Sequence, residues 1–254
     1  MHKLLLCVFA ASAAFGADPP YAGQWKINVA KSDLGQTTVT YTDEGSGQMQ
    51  VKALGMSYTF TTDGKERPAM PGQTAAWKQI DRSTWLSINK VNGLDNGTDT
   101  LKVSADGKTL TMVTKGTKPS GTPIDTTTVF ERVSGGPGLA GVWRTKNAKS
   151  NAPNIMEVAA SGADGLLIKF PDLKTTIDAK FDGKQYPVTG PAVPANLWMT
   201  IERAGVNGFD MTETQSGKVF YKYSYRVSSD GKTLTEIGGA VAINEKVKIL
   251  FDRQ

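Results

Sequence analysis

"SADGKTLT" at residues 104–111 returns as "SSDGKTLT" at residues 228–235, with seven letters of eight in common and 124 positions between them. An Asp-Gly pair between stretches of alternating polarity signals a β-hairpin, because Gly takes positive φ freely and Asp takes it at modest cost. The flanks alternate as a hairpin requires. Leu101 and Val103 lead in and Leu110 and Met112 lead out; the second copy has Tyr225 and Val227 before the turn and Leu234 after it. The octapeptide therefore predicts a type I′ turn whose geometry sets the register of its two strands.

Other pairs repeat at nearly the same spacing. "AGQW" (22–25) matches "AGVW" (140–143), "DGKERP" (63–68) matches "DGKQYP" (182–187), "WKQIDR" (77–82) matches "WMTIER" (198–203) and "VFER" (129–132) matches "LFDR" (250–253). The small drift in offset is what insertions in surface loops produce. The chain is a tandem duplication, with halves at 21–133 and 139–254 and "SGGPG" (134–138) as a short joint. Period-two patterning recurs in "MSYTFTT", "LLIKF", "TIDAKF" and "KVFYKYSYRV", and no stretch shows a helical period. Turn signals every 8–12 residues predict an all-β fold with about eight short antiparallel strands per half, as two tandem up-and-down barrels or sandwiches.

Each half opens with Gly-x-Trp (Gly23-Gln24-Trp25; Gly141-Val142-Trp143) and closes with an aromatic two residues before an Arg (Phe130-Glu131-Arg132; Phe251-Asp252-Arg253). This resembles the lipocalin and wider calycin pattern, and the resemblance spans nearly the whole chain after its first segment, once per half. Each half is shorter than a typical lipocalin and lacks the family's Thr-Asp-Tyr motif. The resemblance implies a Trp plugging the closed end of each barrel beneath an Arg from the last strand. Within each half that would place Trp25 under Arg132 and Trp143 under Arg253. A cation over an indole face contributes about 0.5–2 kcal/mol. The resemblance also implies a binding protein for a small, mostly apolar molecule.

Composition narrows the chemistry. Lys3 followed by "LLLCVFAASAAF" reads as a signal peptide over residues 1–16, which predicts export to the periplasm or medium. The stretch is too short to span a bilayer, and no transmembrane segment is expected elsewhere. His2 and Cys7 are the only histidine and cysteine, and both lie in that segment. Cleavage leaves neither imidazole nor thiol, so Ser-His-Asp triads, Cys nucleophiles and ordinary zinc sites are excluded. No catalytic residue, metal ligand or cofactor is assigned. "GLDNGTD" (93–99) resembles a calcium loop, but Thr100 stands where the turn glycine is required. A net charge of +5 without a basic stripe gives no case for nucleic acid.

The inward-facing aromatics Tyr58, Phe60, Phe170, Phe181, Phe209, Tyr221 and Tyr223 are either packed core or the lining of an apolar ligand site, since a small barrel can be filled or hold one ligand. Trp77 and Trp198, each four residues before an acid (Asp81, Glu202), suggest a duplicated aromatic wall at the barrel mouth. Three readings follow: an exported lipocalin-like binder, an envelope-associated interaction protein with filled barrels, or a barrel enzyme working without histidine.

Overall fold

The computed structural model describes residues 18–33, 35–150, 155–243 and 246–254, so the signal-peptide reading, with His2 and Cys7, falls outside the described residues. The protein is all-β. The first repeat forms β1 (Gly23–Ile27), β2 (Thr38–Gly45), β3 (Gln48–Ala53), β4 (Met56–Thr61), β5 (Asp63–Pro68), β6 (Gln73–Gln79), β7 (Thr84–Val91), β8 (Leu94–Val103), β9 (Thr109–Thr117) and β10 (Pro123–Ser134). The second forms β11 (Gly141–Ser150), β12 (Ile155–Ala160), β13 (Gly165–Phe170), β14 (Thr175–Lys180), β15 (Tyr186–Thr189), β16 (Leu197–Arg203), β17 (Gly208–Gln215), β18 (Lys218–Val227), β19 (Thr233–Ala240) and β20 (Val247–Arg253). Each repeat thus has ten strands rather than eight. Several of the tight turns fall at Ser46-Gly47, Leu54-Gly55, Asn92-Gly93 and Ser216-Gly217, where both residues have positive φ as a type I′ turn requires. A Leu-Gly turn carries little compositional signal.

The repeated octapeptide uses a different turn. Only Gly107 and Gly231 have positive φ there. Gly107 N–H donates to the Ser104 carbonyl and Gly231 N–H to Ser228, both at 2.9 Å, closing a type I turn followed by a left-handed glycine. The Asp side chains supply the rest. Asp106 accepts from the Ser104 hydroxyl and the Lys108 N–H, and Asp230 repeats the arrangement with Ser228 and Lys232.

All pairings are antiparallel, and they fall into two ten-stranded sheets that do not coincide with the two repeats. One sheet closes as a barrel in the order β1-β12-β13-β14-β15-β16-β17-β18-β19-β20. The other runs β4-β3-β2-β11-β10-β9-β8-β7-β6-β5, a barrel-like sheet whose edge strands are consecutive in the chain. The first strand of each repeat is therefore exchanged: β1 sits between β12 and β20, and β11 sits between β2 and β10. We call β2–β11 the first barrel, and β1 with β12–β20 the second.

The exchange corrects the expected plug pairs. Arg132 lies over Trp143, its Cζ 3.9 Å from the ring centroid, and Arg253 lies over Trp25 at 4.2 Å. Chain entropy accounts for the choice. Arg132 and Trp143 are 11 positions apart, joined by a hairpin, whereas Arg132 and Trp25 are 107 apart. Closing the short loop is favoured by about 2 kcal/mol, and the compensating doubling of the other loop costs only about 0.6 kcal/mol. Each repeat offers the same plug parts, a Trp, an Arg and the glycine carbonyl that receives it, so the plug contacts do not oppose the exchange.

Each plug is built alike. Both indoles are fully buried. Trp25 Nε1 donates to the Tyr21 carbonyl and Trp143 Nε1 to Leu139, each at 2.9 Å. Arg132 Nε donates to the Gly107 carbonyl, and its terminal nitrogens donate to Gly136, Gly138 and Ala140. Arg253 donates likewise to Gly231, Ala22 and Pro20. The repeated octapeptide thus presents the glycine carbonyl that receives the closing guanidinium, a task each copy performs once. Gly23 and Gly141 open their strands at φ +139 and +147, and a Cβ at either would meet the guanidinium Nη1 at 2.6 Å. This explains the Gly of Gly-x-Trp.

The ends opposite the plugs face each other. Asn92 Nδ2 donates to the Val193 carbonyl at 2.5 Å, and Lys118 Nζ pairs with Asp172 Oδ2 at 3.1 Å. Ser120 N–H donates to the Asp172 carbonyl. Gly72 packs on Pro194, and Gly55 on Ala242. Turns from the first barrel's open end thus cap those of the second.

Candidate functional site

The interior of the first barrel is filled. Phe60 stacks on Trp77 with ring centroids 4.2 Å apart, and Tyr41 meets the same indole edge-on. Trp77 Nε1 donates to the Tyr58 hydroxyl at 3.1 Å. The polar groups among these rings satisfy one another. Asp99 accepts from Asn89 Nδ2 at 2.9 Å and from the Thr114 hydroxyl at 2.6 Å, and Asn89 in turn accepts from Ser87. Burial pushes the Asp99 carboxyl above its ordinary value, against the pull of those two donors.

The second barrel is filled at its plug end and hollow at its mouth. Phe209 is fully buried, stacks on Tyr225 at 4.8 Å, and takes Tyr21 edge-on at 5.1 Å. From there an aromatic column climbs β18. Tyr225 lies 6.4 Å from Tyr223, which stacks on Tyr221 at 5.9 Å. Near the mouth it borders a cavity of about 400 Å³. Tyr221, Tyr223, Glu236, Ala240 and Ile249 form its barrel wall. The roof comes from Leu54, in the β3–β4 turn of the first barrel, and from 35–37 of the β1–β2 connection. The cavity therefore sits on the seam between the two mouths.

Two carboxyls stand in this half of the barrel. Glu236 is 7% exposed and accepts a hydrogen bond from the Tyr225 hydroxyl. Glu213, on the inward row of β17 that also holds Phe209 and Met211, is reached by the Tyr223 hydroxyl only at 3.5 Å. Burial raises the pKa of both, and it raises those of Tyr221, Tyr223 and Tyr225, with the two carboxylates adding to the effect. Among the described residues neither carboxyl forms an ion pair. Two positions beyond Glu213 on the same row, Gln215 is 7% exposed, and its amide Nε2 has no acceptor among the described residues.

Of the aromatics predicted to line a ligand site, only Tyr221 and Tyr223 border this cavity. Tyr58 and Phe60 belong to the core of the first barrel, while Phe209 and Phe170 pack in the core of the second. Phe181 lies at the plug end beneath Arg203, 4.2 Å from its Cζ, with Arg203 bound to Asp164. The duplicated Trp motif does not survive as a structural equivalence. Trp77 opposes Ser87 on β7, and the residue opposing the equivalent Met211 on β17 is Ile201 rather than Trp198. Trp77 is buried, whereas Trp198 pairs with Pro187 and is partly exposed. A shift of three positions separates the letter match from the register match.

Sequence reasoning missed Glu213, Gln215 and Glu236. The signal was present: "FDMTETQ" and "TLTEIGGA" place an acid on the inward row, where alternation calls for an apolar side chain. A second, more open hollow of about 590 Å³ lies on the outer face of β16–β19, lined by Glu202, Asp210, Lys222 and Ser224 among others. Among the described residues no group of three or more His, Cys, Asp or Glu is placed to hold a metal, and no helix is long and apolar enough to cross a membrane. Comparisons with protein families, with curated proteins and with solved structures return no match for the chain.

Proposed function

We propose that this protein is an exported, lipocalin-like carrier that holds one small, largely apolar molecule at the mouth of its second barrel. One observation carries the reading: a cavity of about 400 Å³, within the size range of ligand sites, bordered by Tyr221, Tyr223 and Ile249 at the end opposite the Trp25 plug. The first barrel, filled by the Phe60–Trp77 stack, serves as scaffold and roof. Tyr hydroxyls at the wall suit a ligand with an apolar body and a polar end.

The test is a titration with an environment-sensitive aromatic dye. One dye binds per chain. Ala240→Phe, which fills the mouth, abolishes binding, and Trp77→Phe in the first barrel leaves it unchanged. Equal loss in both variants, or more than one equivalent site, contradicts the assignment.

A further inference from the structure

We propose that the molecule held by the second barrel is an organic ammonium ion, its cationic nitrogen set against Glu236 and the rings of Tyr221 and Tyr223, with Glu213 adding its charge from beyond the Tyr223 hydroxyl, and its apolar body lying in the mouth. The inference rests on the binding reading above and names the ligand's charge. A carboxylate taken out of water is costly unless a cation or several donors face it. Asp99 in the first barrel has two donors within 2.9 Å. Among the described residues Glu213 has only the long contact from Tyr223, and Glu236 a single hydroxyl. No lysine or arginine pairs with either among the described residues; Lys246 lines the cavity rim, and the other titratable groups facing the two acids are Tyr221, Tyr223 and Tyr225.

Each alternative ligand class fits worse. A neutral apolar ligand would displace water from the Glu236 carboxyl and return nothing to it. An anionic ligand would add like charge. An ammonium ion supplies the missing charge and donors, and the rings of Tyr221 and Tyr223 offer it cation–π faces. The unpaired Gln215 amide is an independent sign that this interior is short of partners.

Calorimetric titration of the intact protein with 2-phenylethylamine, 2-phenylethanol and 3-phenylpropanoate separates the possibilities, because the three share a body and differ in charge. The amine binds about tenfold or more tighter than the alcohol, as hydrogen bonds to a charged group allow, and the carboxylate binds weakest. Glu236→Gln and, separately, Glu213→Gln each reduce the amine's advantage several-fold while the alcohol's affinity holds; the thermal midpoint of each variant confirms that it is folded. Equal binding of amine and alcohol, or preference for the carboxylate, overturns the charge assignment and leaves the carrier reading standing. Absence of binding by all three overturns both.

Discussion

Where the first barrel carries Asn89, Asp99, Met112 and Thr114, the second carries Glu213, Tyr223, Glu236 and Gly238, taking positions as equivalent when they share a register to the common turns. In the first barrel the acid is short and its neighbours are an amide and a hydroxyl, so the network closes on itself. In the second the acids are longer, the opposing side chains are tyrosines, and glycine replaces threonine. A Cβ at Gly238 would meet the Tyr223 ring at 2.6 Å, so the glycine is what admits that ring. Aromatic bulk also changes walls: Tyr41, Tyr58, Phe60 and Trp77 give way to Val158, Ile177, Ala179 and Ile201, while Gly97 and Leu101 give way to Tyr221 and Tyr225. The duplication kept the plug and let the interior diverge. A self-satisfied interior stiffens a scaffold; an unsatisfied one beside a cavity invites a ligand.

The largest expected effect probes the exchange that defines which barrel is which. Trp25→Ala removes a fully buried indole and costs about 3–5 kcal/mol. Because Trp25 plugs the second barrel, hydrogen exchange should accelerate across 155–254 and leave 38–134 protected. Trp143→Ala should produce the opposite pattern. If Trp25→Ala instead opened 38–134, each repeat would close on its own first strand and the comparison of barrels would have to be redrawn.

The repeat, the all-β class and the Trp and Arg of each plug were legible because they rest on local alternation and on residues with one physical use. Partner choice was not. Either Arg offers a Trp the same kind of plug, and the short joint between β10 and β11, whose effect is entropic, favours the exchanged pairing. Strand number was undercounted because Leu54-Gly55 and Ser216-Gly217 turn as tightly as Asn92-Gly93 with weaker letters. The cavity was half legible: Tyr221 and Tyr223 follow from alternation, and alternation also puts Glu236 and Glu213 on inward rows, but only the sheet shows that Glu236 borders the cavity.

A mid-sized effect tests whether the two polar interiors differ in satisfaction. Asn89→Ala strips Asp99 of a donor while leaving it buried and should cost about 1–3 kcal/mol in denaturant unfolding. Glu213→Gln at the equivalent position removes a poorly partnered charge and should cost nothing or stabilise. Matching losses would mean that the second interior is satisfied after all, and the contrast between scaffold and site would lose its basis.

The smallest effect lies in the pH dependence. Burial raises the folded-state pKa of Glu236 above its unfolded value, so the folded protein holds that proton more tightly. The stabilisation this gives is complete below the ordinary glutamate range of about 4 and is lost as pH rises through the raised folded value. Glu236→Gln keeps a neutral side chain at every pH and escapes that loss. Its thermal midpoint should nearly match the parent's near pH 4 and exceed it near pH 8. Glu213→Gln should behave alike, since its carboxyl shifts in the same direction for the same cause. A gap of the reverse sign, with either variant weaker at the higher pH, would mean that the charged carboxylate has a stabilising partner in the folded protein, and the place argued for a ligand's cation would already be taken.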